Sequence, residues 1–175
     1  IGTRNAQNFE LLKYVGQQQD FPVLFKRGMG ITLEESLNAC EYIASEGNRN
    51  IIFCLRGVKT HLSEPHRNLV DFGQVPVVKR LTRMPVCIDP SHSVGRRELS
   101  SDGISDLYHV TAQGIIAGAN MVLVDFHPTP EKAFCDGPQA LLLEELPIYL
   151  EDVEIVRQAY EKRRKLVMRS ELVMG

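Results

Sequence analysis

Short apolar runs, rich in β-branched and aromatic residues, alternate along this chain with stretches of helical period. The sharpest run is Pro85-Val86-Cys87-Ile88, which stops at Asp89-Pro90-Ser91-His92. Proline has no N–H to give to a strand ladder, so the run ends there. Comparable runs at 22–25, 51–55 and 121–124 lead into Lys26-Arg27-Gly28, Arg56-Gly57 and Asp125-Phe126-His127-Pro128. Each predicted strand thus delivers charged or metal-capable side chains at its carboxyl end. Between the strands, apolar residues recur at three- and four-residue spacing and predict helices over 8–15, 33–46, 75–81 and 105–117. Thr32 and Glu35 read as a capping box for the second of these. Residues 59–74 are polar and aperiodic and read as a long loop with a functional task. The stretch 141–167 reads as helical with an interruption near Pro147, and the charged run 161–165 as its solvated end. Residues 1–5 read, from context, as the end of a strand.

Strand centres near 24, 53, 87 and 123 lie about 29, 34 and 36 residues apart, which suits βαβ units. The fold class that follows is α/β, with parallel strands and crossover helices. A TIM (β/α)8 barrel needs about 250 residues. At 175 residues the expectation is about the last five βα units of such a barrel over 1–145, followed by a helical tail over 146–175. An open doubly wound sheet is the competitor, but no strand is followed by a Gly-x-Gly-x-x-Gly turn. A first residue other than Met, set in an apparent strand end, gives the expectation of a piece of something longer. A barrel so divided leaves sheet edges open, so pairing with another chain, as a homo-oligomer, is expected.

Composition changes this picture little. With 43% hydrophobic and 24% charged residues the chain reads as globular. A net charge of −2 gives no general attraction to nucleic acid or to an anionic membrane. The four cysteines, Cys40, Cys54, Cys87 and Cys135, lack CxxC spacing, so reduced thiols and a cytoplasmic location are expected.

Two sets of polar residues carry candidate chemistry. His92, Asp125, His127 and Asp136 are a metal set, since imidazole with carboxylates suits Mn, Fe, Co or Zn. Their spacing forms no local motif, and His127 reads equally as a neighbouring partner or a loop anchor. Arg4, Lys26, Arg27, Arg56, Arg96 and Arg97 are an anion set, since guanidinium forks match phosphate and carboxylate oxygens. Surface charge pairing is the plainer reading of any one of them. Three successive strands that each end in a cation favour anion binding. No nucleophile elbow is present, and Ser91 beside His92 is not a triad.

Several segments, in order and at matching spacing, resemble the 3-deoxy-D-arabino-heptulosonate 7-phosphate (DAHP) synthases of the short, microbial type. They are Ile1-Gly2-Thr3-Arg4-Asn5-Ala6-Gln7-Asn8-Phe9, Lys26-Arg27-Gly28-Met29, Arg56-Gly57, Asp89-Pro90-Ser91-His92 with Gly95-Arg96-Arg97, His127-Pro128 and Asp136-Gly137-Pro138-Gln139. The resemblance implies a transferase that condenses phosphoenolpyruvate with erythrose 4-phosphate, the first step of the shikimate pathway. It implies that Arg4, Lys26 and Arg56 hold phosphoenolpyruvate. Arg27, Arg96 and Arg97 add to the substrate-binding set, and Asp89 joins Lys26 and His92 as a catalytic candidate. A divalent metal on His92, Asp125 and Asp136 is implied. Three departures stand out. The family's cysteine ligand and its Lys-Pro-Arg-Thr loop are not in these residues. Asp125 replaces a family Glu. The loop at 59–68 and the tail from 146 diverge. The resemblance therefore leaves two alternatives: a catalytically altered or regulatory relative, and a related octulosonate-phosphate synthase.

Overall fold

In the computed structural model, which describes residues 1–174 and their side chains through Arg169, the apolar runs become parallel strands. They are β1 (Val23–Lys26), β2 (Ile51–Leu55), β3 (Val86–Ile88) and β4 (Met121–Val122). All pair in parallel, in the order β1-β2-β3-β4. One line of the register joins Lys26, Cys54, Cys87 and Met121. Helices α1 (Phe9–Gly16), α2 (Leu33–Ser45), α3 (Val75–Thr82), α4 (Pro90–Val94), α5 (Asp106–Ile116) and α6 (Leu146–Met174) alternate with the strands. The fold class is α/β, as the sequence spacing predicts. Among the described residues no helix is long and apolar enough to cross a membrane.

The two-residue period of a strand sorts the side chains onto two faces. Phe25, Phe53, Leu55, Val86 and Ile88 are fully buried and share one core with Ile43 of α2, Val78 of α3 and Leu107 of α5. Each such side chain contributes about 1.5–3 kcal/mol by leaving water. The Phe25 and Phe53 rings stack at 6.0 Å. The opposite parity carries Lys26, Cys54 and Arg56, then Cys87 and Asp89, then Leu123 and Asp125. This second face ends in the polar residues.

Local rules account for most element ends. Thr32 and Glu35 form the reciprocal capping box that the sequence predicts for α2. Ser105 caps α5, and Asp89 caps α4 by accepting from the His92 amide at 3.1 Å.

Three expectations need correction. Residues 3–5 form a 3₁₀ turn, not a strand; only Ile1 takes a ladder position, its carbonyl accepting from the Lys26 amide at 3.0 Å. Residues 141–142 are not helical: β6 (Leu141–Leu142) pairs in parallel with β5 (Phe126–His127). Pro147 does not interrupt a helix but lies in the first turn of α6, where its missing N–H has no partner to lose. The ladder continues from β4 toward β6, because the Leu141 amide donates to the Asp125 carbonyl at 2.9 Å. Helix α6 packs on α5: Tyr149 is 2% exposed, and its hydroxyl lies 2.8 Å from that of Thr111.

Candidate active and metal site

Asp89 organises the site. It follows β3 at full burial, and its carboxylate lies 2.9 Å from Lys26 Nζ and 3.0 Å from His92 Nδ1. Burial works to raise its pKa, but the hydrogen bond and charge of His92, and then of Lys26, outweigh it and hold the carboxyl below its ordinary value. Asp89 therefore fixes two side chains at once. It orients the imidazole through Nδ1, which leaves Nε2 turned toward Asp136 Oδ2 at 3.8 Å. The His92 carbonyl is held in turn by the amide of buried Asn68 at 2.6 Å.

His92, Asp125 and Asp136 each offer a ligand atom, and these atoms lie within 4.8 Å of one another. The three metal candidates of the sequence are thus brought together. Asp125 is one methylene shorter than a Glu, yet its Oδ2 is 3.5 Å from His92 Nδ1. Two contacts place it: its amide donates to Ser91 Oγ at 3.0 Å, and Gln139 Nε2 donates to its carboxylate at 2.6 Å. An imidazole with two partly exposed carboxylates fits a borderline divalent cation of the Mn, Fe, Co or Zn kind. His127 is elsewhere: its Nδ1 accepts from the Thr129 amide at 2.9 Å and anchors its own loop.

Arg56 is the clearest anion candidate. It is 1% exposed, and its Nε and one Nη are buried without a hydrogen-bond partner. Burial lowers its pKa, while the nearby Asp89 charge acts the other way. A guanidinium desolvated without an acceptor is costly, and an incoming oxyanion would supply the missing acceptors. Lys26 is already paired with Asp89. Arg4 is exposed in the turn whose Thr3 hydroxyl donates to the Arg27 carbonyl at 2.7 Å.

The remaining basic candidates are placed differently. Arg27, one residue past Lys26, points away from the site. Its side chain is 3% exposed and bonded to Asp71 at 2.7 Å, to Gln74 at 2.9 Å and to the Ile31 carbonyl at 3.0 Å. Those contacts tie its two Nη groups to the protein's own acceptors, while its Nε is buried without a partner. Arg96 pairs with Glu98 at 3.1 Å and donates to the Pro65 carbonyl at 2.7 Å. Arg97 pairs with Glu145.

Arg67 and Gln139 were not legible as site residues. The Arg67 guanidinium donates to Asp136 at 3.1 Å and to Gln139 Oε1 at 2.8 Å, while Gln139 holds Asp125. Together they bind the two metal-set carboxylates into one unit. The loop at 59–74 brings Arg67 there by strapping itself to β3's exit, its Arg67 amide donating to the Val94 carbonyl at 2.9 Å. The close approach requires Gly95: it has φ 78°, and a Cβ there would stand 2.3 Å from that of Arg67. For Arg67 the polarity of the loop was the only sequence signal, whereas Gln139 stands in the Asp136-Gly137-Pro138-Gln139 segment of the resemblance.

Two buried cysteines are held as neutral thiols. Burial pushes the Cys40 thiol up to about 12. The Cys54 thiol is also raised, first by its hydrogen bond with Cys87 and then by burial.

Parallel strands that present an unpaired guanidinium, an ammonium and an imidazole–carboxylate cluster at their carboxyl ends define an α/β protein with its polar candidate site at that end of the sheet. The chain belongs to the DAHP synthetase I family, whose model matches residues 1–162. It is 40% identical over 166 residues to a phospho-2-dehydro-3-deoxyheptonate aldolase of Thermotoga maritima, covering 95% of this chain and 44% of that protein. It is 33% identical over 136 residues to a 2-dehydro-3-deoxyphosphooctonate aldolase of Pelobacter propionicus, covering 75% and 48%. The crystal structure of the Thermotoga maritima DAHP synthase superposes with a TM-score of 0.82 at 40% identity, over 91% of this chain and 44% of that one. The chain therefore spans about half the length of the curated relatives it matches.

Proposed function

We propose that these residues form the carboxyl-terminal part of a (β/α)8 barrel that condenses phosphoenolpyruvate with erythrose 4-phosphate, giving DAHP and inorganic phosphate. The observation that carries the reading is Arg56, a buried guanidinium without acceptors, one strand away from the Lys26–Asp89–His92 chain. Two polyanionic substrates have to be held close together, and preset cations lower the cost of doing so.

Arg56, with Arg4 and Lys26, would bind the phosphate and carboxylate of phosphoenolpyruvate. Asp89 holds the Lys26 ammonium in place, so that its charge and its protons face the reacting carbons. The methylene carbon of phosphoenolpyruvate attacks the aldehyde carbon of erythrose 4-phosphate, and Lys26 can give a proton to the oxygen that becomes a hydroxyl. Water then adds at the former enol carbon, and phosphate leaves by C–O cleavage. His92, Asp125 and Asp136 would hold a divalent metal, which when bound polarises the aldehyde as a Lewis acid. Arg67 and Gln139 keep the two carboxylates at a fixed separation. Arg96 and Arg97 lie on the loop after α4, where their charge can attract the second phosphate.

The full-length protein that carries these residues tests the reading. Phosphate release should require phosphoenolpyruvate and a four-carbon aldose phosphate together, stop with a chelator, and return with Mn. No release from the metal-loaded protein with both substrates would refute it. The octulosonate-type relative makes the five-carbon aldose phosphate the informative competitor, and preference for it would move the assignment to that reaction.

A further inference from the structure

Arg27 and Asp71 form an ion pair in the interior. Their side chains are 3% and 4% exposed, and any further chain would only cover them more. Taking two charges out of water costs about what their attraction returns, and apolar residues of the same volume often hold a fold as well. What this pair supplies in addition is position.

Its contacts reach all three residues assigned to phosphoenolpyruvate. Lys26 is the neighbour of Arg27 in the chain. The Arg27 carbonyl accepts from the Thr3 hydroxyl at 2.7 Å, which holds the turn that carries Arg4. Asp71 Oδ1 accepts from the Gly57 amide at 2.9 Å, directly after Arg56. Past their last paired residues, β1 and β2 are joined by the Arg27 amide on the Cys54 carbonyl at 2.9 Å, and further out by the Lys59 amide on the Met29 carbonyl at 2.8 Å. Between those two bonds Asp71 adds a link, with one oxygen on Arg27 and the other on the Gly57 amide. Gln74 Oε1 and the Ile31 carbonyl hold the Arg27 guanidinium from its other sides. An Arg56 guanidinium without acceptors would gain by shifting toward an oxygen, and a fixed Gly57 denies it that movement.

We propose that Arg27 and Asp71 are positioning residues of the phosphoenolpyruvate site: from outside it they fix the spacing of Arg4, Lys26 and Arg56, so that an oxyanion meets cations already in place. This role rests on the function proposed above and refines the anion half of that site. Charges held in advance bind an anion without the cost of gathering them. Loosening the pair therefore costs affinity in every molecule, not the fold of some of them.

Calorimetric titration of the full-length protein with phosphoenolpyruvate tests this, because it reads affinity and the fraction of competent sites separately. Asp71→Asn keeps an oxygen for the Gly57 amide and removes the charge that holds Arg27. It should weaken binding roughly tenfold or more, with the wild-type number of sites. Arg27→Met combined with Asp71→Asn leaves neither charge of the pair buried alone, so it should fold even where the single variant does not, and the same loss of affinity is expected of it. A pair with a merely structural role would instead give fewer competent sites, each of wild-type affinity. That result, wild-type affinity in the folded double variant, or a double variant that cannot fold would each overturn this proposal alone. A wild type that binds no phosphoenolpyruvate would overturn the assigned reaction, and the positioning role with it.

Discussion

Arg56 holds its charge where the protein gives Nε and one Nη no oxygen to bind. Such a residue costs stability in the free protein and gains its acceptors from a ligand. Arg56→Met keeps much of the volume and removes the charge. We expect it to raise the unfolding free energy of the ligand-free protein by about 1–4 kcal/mol, and to abolish binding of phosphoenolpyruvate in calorimetry. A variant that binds normally would show that the anion sits elsewhere. Asp89→Asn separates the roles of a second residue. Asparagine caps a helix as well as aspartate does, so α4 should still form, while loss of the buried charge that pairs with Lys26 and His92 should lower the melting temperature. The variant loses the charge that fixes Lys26 and the His92 imidazole. Metal affinity should fall roughly 10–100-fold, read by competition with a chromophoric chelator; unchanged affinity would mean that the imidazole is oriented by other groups. At this scale the sequence was informative where strand parity decides. Lys26, Arg56, Asp89 and Asp125 share one parity and one face. Arg27 lies one step further along, which reverses the direction of a side chain, and its pairing with Asp71, 44 residues away, was not legible.

Helix α5 shows how an element far from the chemistry holds the site. A Cβ at Gly114 would stand 2.3 Å from Ile88 Cδ1 and 3.1 Å from the Phe72 ring. The helix can therefore approach β3 only because that side chain is missing, and β3 delivers Asp89 and His92. Gly114→Ala gains helix propensity, but it must push Ile88 or the helix aside. We expect a net loss of about 1–3 kcal/mol in urea denaturation, and a Gly114→Ala protein of wild-type or higher stability would contradict the packing argument. The principal elements were legible because both periods are strong: four apolar runs became β1 to β4, and the capping box of α2 lies where Thr32 and Glu35 predict it. The short pair β5–β6 was not legible. Leu141-Leu142-Leu143 is an apolar run with no period of its own, and strand and buried helix read alike over such a length. Its pairing depends on Phe126 and His127, which precede it by 15 residues in the register. Arg67 and Gln139 were hidden for a related reason: they meet across 72 residues of chain, and no local pattern encodes that meeting.

Across the whole molecule the carboxylates at or near the surface set the response to acid. The Ile104 amide holds Asp102 below its ordinary pKa, the Ser100 hydroxyl and then His66 do the same for Asp106, and Arg157 with Gln158 takes Glu154 to about 2. A group whose pKa is lower in the folded state adds stability above its unfolded pKa and loses it as the pH falls through the folded value. These three groups therefore contribute fully at neutral pH and progressively less from about pH 5 down to about pH 2. Asp71 has the opposite sign. Burial raises its pKa despite the Arg27 hydrogen bond, so its contribution declines as the pH rises above the unfolded value. Asp89, held low by His92 and Lys26, adds to the three, and Asp152, raised by burial, adds to Asp71, so two groups stand against four; the pairing of Asp71 with Arg27 and the Gly57 amide limits its shift. The urea midpoint should accordingly be flat from pH 7 to about pH 5 and fall below it. Asp106→Asn should flatten part of that fall, since it removes the group while leaving the Ser105 cap of α5 in place. A midpoint that rises on acidification would mean that the buried Arg27–Asp71 pair, and not the exposed acids, governs the balance. The same measurement at high salt separates the contributions further. Screening weakens the charge of His66 and Arg157 on their acids, whereas the bonds from the Ser100 hydroxyl and the Ile104 amide persist, so the acid-induced loss should shrink with salt without vanishing.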